Sequence, residues 1–275
     1  MLPTMVTTVI PCFNATATLE AAVDSVLAQG DVGVKLVLVD DCSSDGTLRL
    51  CQALAERHAN IAVVAHAANA GPGPARNSGM RRVKSEFVCF LDADDSYASG
   101  FFAAALKRFR ENPAISAVLS GVELVDCPHE VHPLHVAGAV NFMPSNKMLR
   151  RSTVELIGGF PEDTTLRTGM GGEDGVFFQV LQKYFLSGFE PEKFCRYYVG
   201  ANSHFSRFVR RTRIENGKLV FVELEPIETS GELTAVALEF ERRFLERCRA
   251  LRLSTVFPEL TPQGFRPGTI GPRQR

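Results

Sequence analysis

Along positions 1–120 the chain repeats one rhythm: a short run of consecutive apolar residues, a polar loop, then a segment whose apolar residues recur every three or four positions. The continuous runs predict strands over 6–10, 35–39, 61–65, 87–91 and 116–120. Such runs are apolar on both faces, as the strands of a parallel sheet covered by helices on both sides must be. Between them Leu19, Ala22, Val23, Val26 and Leu27 share one helical face, as do Phe102, Ala105, Leu106 and Phe109. The pattern predicts an α/β fold with a mostly parallel, Rossmann-like sheet. Gly, Pro, Asn and Asp gather in 11–14, 40–46 and 69–74, read as loops at strand ends. In an open α/β sheet, ligands bind outside the carboxyl ends of the strands, so the chemistry is sought in these loops.

Beyond 120 the pattern loosens. Residues 121–170 are loop-rich, with His129, His132 and His135 spaced by three and a short helical pattern over 152–157. Three histidines at that spacing could ligate a metal only from a helix, which Pro128 and Pro133 oppose. A helix is expected to open at Glu173-Asp174, with Phe177, Phe178, Leu181 and Tyr184 along its apolar stripe. Alternating segments over 208–214 and 219–224 flank Glu215-Asn216-Gly217-Lys218, a hairpin signal. Thr229 and Glu232 form a capping-box pattern before a long helix marked by Leu233, Val236, Phe240, Phe244, Cys248 and Leu251. Residues 257–275, with Pro258, Pro262, Pro267 and Pro272, read as an extended or disordered tail. The expected division is a domain over 1–206, a hairpin-plus-helix extension over 207–256, and that tail.

Composition narrows the class without naming a partner. Of 275 residues 45% are hydrophobic and 22% charged, with net charge -1, which fits neither a disordered chain nor a bulk nucleic-acid binder. Residues 207–275 are modestly basic, with 13 Lys and Arg against 9 Asp and Glu, a balance suited to an anionic surface or substrate tail. Seven cysteines, with no Cys-x-x-Cys pair, read as small core residues of a reducing compartment. No apolar run nears the roughly 18 residues of a membrane span. The expectation is a cytoplasmic protein, with the long helix over 232–252 as a possible peripheral membrane contact.

The acids are the most informative residues. The apolar run Phe87-Val88-Cys89-Phe90-Leu91 ends in Asp92, Asp94 and Asp95. Carboxylates this close raise one another's pKa unless a cation sits among them, and one or two carboxylates plus substrate phosphates commonly hold Mg²⁺ or Mn²⁺. Leu36-Val37-Leu38-Val39 likewise delivers Asp40 and Asp41, which could accept from a pyrimidine imide or a ribose hydroxyl; nearby Ser44 or Asp45 could cap a helix instead. In 69–79, Gly71-x-Gly73 is no dinucleotide fingerprint, because Arg76 occupies the third glycine position. Arg76 offers a planar donor fork to a base or phosphate.

Residues 7–95 resemble the nucleotide-binding half of a family-two glycosyltransferase of the GT-A fold. Val9-Ile10-Pro11-Cys12-Phe13-Asn14, Leu38-Val39-Asp40-Asp41-Cys42-Ser43, Ala75-Arg76-Asn77-Ser78-Gly79 and Leu91-Asp92-Ala93-Asp94-Asp95 match its motifs in order. The acceptor side is similar through Leu149-Arg150-Arg151-Ser152, Ile157-Gly158-Gly159-Phe160 and Gly172-Glu173-Asp174-Gly175. The resemblance implies an inverting transfer of sugar from a nucleotide-diphosphate donor, a UDP-sugar first among them, to a glycan or lipid-linked acceptor hydroxyl, as in polysaccharide biosynthesis. It makes 1–120 the nucleotide-binding half and 121–206 the acceptor and catalytic half. By the same resemblance Asp40 or Asp41, with Arg76, contacts the donor's base, Pro11 lines that pocket, Asn14 belongs to the donor-binding set, and Asp92 contacts the donor sugar or ribose. Asp94 holds a Mn or Mg ion, His204 is a metal or phosphate ligand, and Asp174 of the Glu173-Asp174 pair is the general base. A sugar nucleotidyltransferase would share the layout but carry a Gly-rich basic loop where Pro11-Cys12-Phe13-Asn14 stands. A nucleotide-sugar-binding protein without turnover is the other alternative, and buried unpaired acids would be costly relics in it.

Overall fold

The computed structural model describes residues 4–30, 32–127, 131–167, 172–200, 203–221, 228–256, 259–261, 264–266 and 269–272. In chain order they form β1 (Met5–Cys12), α1 (Leu19–Leu27), β2 (Gly33–Asp40), α2 (Thr47–Arg57), β3 (Ile61–Ala65), α3 (Pro72–Met80) and β4 (Phe87–Phe90). Next come β5 (Ser96–Tyr97), α4 (Phe101–Glu111), β6 (Ala117–Val125), α5 (Pro133–Phe142), β7 (Lys147–Arg150), α6 (Arg151–Ile157) and α7 (Glu173–Tyr184). The remainder holds β8 (Ser187–Tyr198), α8 (His204–Arg210), β9 (Thr212–Glu215), β10 (Lys218–Phe221) and α9 (Glu228–Ala250).

Among the described residues eight strands form one sheet in the order β3-β2-β1-β4-β7-β6-β8-β5. Strands β3, β2, β1 and β4 run parallel, as do β6 and β8; β7 is antiparallel to β4 and β6, and β5 to β8. This is the expected α/β architecture. The apolar runs are explained by their faces: Val6, Ile10, Leu36, Leu38 and Cys89 join α1, α2 and α4 in one core, while Val9, Val37, Val39, Val88 and Phe90 join α3, α6, α7 and α9 in the other. All seven cysteines are free thiols, four of them buried in these two cores.

The chain beyond α7 is tied to the second core. Phe244 and Cys248 of α9 are buried beside Tyr184 and Phe185. Arg247 donates to the carbonyls of Leu156 and Ile157 at the end of α6, and Lys183 pairs with Glu241 at 2.7 Å. Of the expected stripe, Phe240, Phe244 and Cys248 contribute to the core, whereas Leu251 is exposed and Leu233 lies outside the residues whose side chains are described. The same holds for the Thr229 and Glu232 side chains of the capping-box pattern. Among the described residues no helix is long and apolar enough to cross a membrane.

Several local expectations change. The strand expected from 208 begins at Thr212, because Ser203 accepts from the Ser206 amide and caps α8 instead. The hairpin turn survives: Asn216 and Gly217 both have positive φ, the type I′ geometry that matches strand twist. Pro133 does not oppose a helix; it is the first residue of α5, where the missing N–H has no intrahelical partner to lose. His135 is therefore helical and His132 precedes the helix, while Pro128 and His129 lie outside the described residues. His135 is buried edge-on to Phe208, and desolvation, with His132 nearby, lowers its pKa. Pro72 similarly begins α3 inside the segment expected as a loop. Within the stretch expected as an extended or disordered tail, Glu259–Thr261 pairs antiparallel with Gly264–Arg266, and Thr269–Pro272 pairs antiparallel with Leu253–Val256 just before it. Pro258, Pro262 and Pro267 fall outside the described residues, and Pro272 ends its strand.

Candidate active site

The carboxyl ends of β2 and β4 flank that of β1, so the 11–14, 40–46 and 92–95 segments meet at one edge of the sheet. Pro11 is buried within β1. Asn14, at φ +49°, is occupied by its neighbour loop: its side-chain oxygen accepts from the Ser44 amide at 2.9 Å, and its own amide donates to Ser43 Oγ. Asp45 accepts from Thr47 and Thr16, and these hydrogen bonds lower its pKa to about 2; it braces the loop at the start of α2.

The adjacent acids at the end of β2 have different fates. Asp41 Oδ1 meets His66 Nδ1 at 2.7 Å and the Ala70 amide at 2.9 Å, and Oδ2 accepts from the Gly71 amide at 2.7 Å. His66 Nε2 lies 2.8 Å from Ser78 Oγ, to which Arg81 also donates. Asp41 therefore fixes the loop that leads into α3. Asp40 is 1% exposed; its Oδ2 accepts from the Ser43 amide, while Oδ1 is buried with no hydrogen-bond partner among the described residues. A buried acceptor without a donor is costly, and a ligand's N–H or O–H could supply the missing partner of Asp40 Oδ1.

At the end of β4, Asp95 accepts from Ser145 Oγ at 2.6 Å and the Tyr198 amide, and burial with Asp92 and Asp94 nearby holds its carboxyl well above the usual range. Asp94 is exposed, yet protein on several sides displaces water and Asp92 adds negative charge, so its carboxyl is also pushed up; His204 acts in the opposite sense. Among the described residues its only hydrogen bond is from its own amide.

Asp92 belongs to a different cluster. Arg76, 2% exposed, donates from Nη2 to Asp92 Oδ1 at 2.7 Å, and from Nη1 to Asp174 Oδ1 at 2.6 Å and Glu173 Oε1 at 3.2 Å. Burial alone would lower the guanidinium pKa, but Asp174, Asp92 and Glu173 outweigh it and raise the value. Asp174 lies in the first turn of α7, with the guanidinium of Arg76 at its Oδ1. Desolvation raises its pKa, helped by Glu173 and Asp92 and opposed by Arg76 and Lys147. The Arg76 fork lies over the Phe160 ring, 5.2 Å from its centroid, and Phe160 stacks on Phe177 at 4.4 Å, one turn below Asp174. Asn77 holds Phe160 through both its N–H and its carbonyl. Gly159, at φ +79°, must be glycine: a Cβ there would stand 2.4 Å from Asn77 Oδ1.

Structure thus gathers Arg76, Asp92, Glu173 and Asp174 into one hydrogen-bonded cluster, sets Asp94 near His204, and leaves Asp41 and Asn14 bracing loops. Sequence reasoning missed Lys147, a fully buried lysine on β7. It donates to the carbonyls of Val140 and Met143 and to Asn146 Oδ1, and lies 4.3 Å from the Phe178 ring centroid. Its burial lowers the pKa to about 7, against the charge of Asp174. A lysine inside the apolar run Lys147-Met148-Leu149 was the available signal. A divalent ion suits the Asp94 region: the donors are a hard carboxylate, short of partners and beside like charge, and an imidazole. Among the described residues no cluster of three such side chains stands ready to chelate alone, so substrate oxygens would have to complete the shell.

The sequence profile of "Glycosyl transferase family 2" matches residues 7–185. The chain belongs to that family. Its match to succinoglycan biosynthesis protein ExoO of Rhizobium meliloti (strain 1021) is 38% identical over 91 residues, covering 33% of this chain and 26% of that protein. With the putative teichuronic acid biosynthesis glycosyltransferase TuaG of Bacillus subtilis (strain 168) it is 37% identical over 93 residues, 34% of this chain and 37% of that one. These matches span only about a quarter to two fifths of the relatives' length. Among solved structures, S. aureus TarS 1-349 in complex with UDP-GlcNAc superposes with TM-score 0.65 at 19% identity, over 90% of this chain and 70% of that one. Mannosyltransferase PcManGT from Pyrobaculum calidifontis, in complex with GDP-Man and Mn²⁺, gives 0.56 at 19% identity, over 89% and 74%. At such identities this family-two chain shares the GT-A fold with both.

Proposed function

We propose that this chain is an inverting glycosyltransferase that moves a sugar from a nucleotide-diphosphate donor to an acceptor hydroxyl, with Asp174 as general base. The observation that supports it most is that Asp174, 82 positions after Asp92 in the chain, stands one guanidinium away from it, so donor-side and acceptor-side acids share one cleft. Asp40 Oδ1 takes an N–H of the base, and a pyrimidine imide suits one lone acceptor, which together with the UDP-GlcNAc-bound neighbour favours a UDP-sugar. Asp92 orients the donor sugar or ribose. Asp94, with His204, would hold Mn²⁺ or Mg²⁺ beside the diphosphate. Such an ion would supply positive charge against the departing diphosphate.

The acceptor hydroxyl lies against Asp174. A carboxylate is a far weaker base than an alkoxide, so Asp174 accepts the proton late, as the hydroxyl oxygen bonds to the anomeric carbon and the bond to the diphosphate breaks on the opposite face. Its raised pKa brings it nearer to that task than a free carboxylate. Base catalysis of this kind contributes about 10²–10⁴-fold, and positioning supplies most of the rest. Relatives named for succinoglycan and teichuronic acid biosynthesis support a glycan or lipid-linked polymer as acceptor.

The test is a thermal-shift panel of UDP-glucose, UDP-GlcNAc, UDP-galactose and GDP-mannose, with and without Mn²⁺, followed by transfer assays with the donor that binds. A bound donor at a hundred times its dissociation constant stabilises the folded state by about 2.7 kcal/mol. Stabilisation and Mn²⁺-dependent release of the nucleotide diphosphate support the proposal. Binding without transfer to any acceptor points to the inactive binder. Pyrophosphate exchange between a nucleoside triphosphate and a sugar phosphate points to a nucleotidyltransferase.

A further inference from the structure

Arg76 sits where a donor-binding arginine would be expected, yet both ends of its fork are turned to carboxylates rather than to the base side of the cleft. One terminal nitrogen is on Asp92 and the other on Asp174 and Glu173, its side chain is 3% exposed, and its Nε has no acceptor. The fork cannot swing freely. Phe160 lies under it, Asn77 on the next residue clamps Phe160 from both sides, and Asp41 anchors the start of α3 through the Gly71 amide. A guanidinium is rigid and planar, so acids bound to its two ends are set at a fixed separation and orientation. The same contact divides the labour of the Asp174 carboxylate. Oδ1 is taken by Arg76, whereas Oδ2 accepts from no donor among the described residues and is the oxygen left for an acceptor.

We infer that Arg76 is a positioning residue: it joins the donor-side Asp92 to the candidate base Asp174, fixes which oxygen of Asp174 meets the acceptor hydroxyl, and does not read the nucleotide base. This deepens the transferase reading and rests on it. Removal of the cation should therefore disorder the base while sparing the nucleotide.

The experiment measures transfer by wild type, Arg76→Lys and Arg76→Met with the donor selected above, at saturating and limiting donor and across pH. Arg76→Met should lower kcat about 10²-fold while donor KM stays within about threefold. The acid limb of its kcat profile should move to higher pH, because Asp174 loses the charge that favours its anion. Arg76→Lys keeps the charge and should recover at least about tenfold of kcat and most of the limb position. If circular dichroism shows the Met variant unfolded, the Lys variant decides alone: its kcat should fall with little change in donor KM. A donor KM raised about tenfold with kcat intact would overturn the inference and make Arg76 a nucleotide contact. Loss of kcat with an unmoved acid limb would overturn it in favour of a purely structural role. A wild type that turns over no nucleotide sugar would instead overturn the transferase reading itself.

Discussion

Strands β2 and β4 each deliver a pair of adjacent aspartates to the same edge of the sheet, 40 with 41 and 94 with 95, and the two pairs divide their work alike. In each, the second acid is architectural. Asp41 is satisfied by backbone amides and His66, and Asp95 by Ser145 and the Tyr198 amide. In each, the first acid has an oxygen that no other described residue hydrogen-bonds. What differs is the setting. Asp40 Oδ1 is enclosed and lacks a donor, so a neutral donor hydrogen would satisfy it. Asp94 is reachable by solvent and stands beside Asp92, so positive charge would suit it. On the proposed reading one strand end takes a hydrogen bond and the other a cation, although the sequence signal, an apolar run closed by aspartates, is nearly the same.

Substitutions can break this contrast. The largest effect is expected from Asp94→Ala, which should lower transfer about 10²-fold or more and raise the Mn²⁺ concentration needed for half-maximal rate, since charge beside the diphosphate is worth several kcal/mol. Titration of initial rates with Mn²⁺ checks it, and an unchanged requirement would remove Asp94 from ion binding. At the other strand end, Asp40→Ala should raise donor KM about tenfold with a small change in kcat, because a buried hydrogen bond is lost. Its neighbour should behave inversely: Asp41→Asn should destabilise the fold by about 1–3 kcal/mol, as one amide or His66 loses its acceptor, and leave the donor KM of the folded protein in place. Urea melts and donor titrations of the pair separate the two roles.

A smaller effect tests the buried cation behind Asp174. Lys147 has a folded pKa of about 7, below its value in an unfolded chain, so between pH 7 and the ordinary lysine range the unfolded state binds more protons. Stability contributed at this site therefore rises with pH across that window and is least below it. Lys147→Met should flatten that rise in the difference between variant and wild-type melts from pH 6.5 to 9.5. Parallel curves would mean that Lys147 does not titrate there.

The fold was legible where its cause is local. Runs such as Leu36-Val37-Leu38-Val39 need only be apolar on both faces to declare a buried strand, and Asn216-Gly217 need only favour positive φ to declare a turn. It was illegible where distant groups decide. Strand β7 contains a lysine whose burial is explained only by three carbonyl and amide oxygens and the Phe178 ring around it. Segment 208–214 alternates enough to suggest one strand, yet its first residues complete α8, which the Ser203 cap and the buried Phe205 and Ser206 hold in place. The acids of the site were visible as residue types at strand and helix ends. The fate of each was not: Arg76 and Asp174 are 98 residues apart, and no pattern in either segment says that they bond. Likewise nothing in Asp40-Asp41 announces which acid the loop before α3 will occupy.

The central claim is that Asp174 removes the proton from the acceptor while donor binding is handled elsewhere. The direct measurement compares Asp174→Asn with wild type in two assays on the same preparation: calorimetric binding of the donor with Mn²⁺, and single-turnover transfer to acceptor. Donor affinity within about threefold of wild type with transfer reduced about 10²–10⁴-fold is the expected result. Transfer at the wild-type rate, or loss of donor binding in step with transfer, would contradict it.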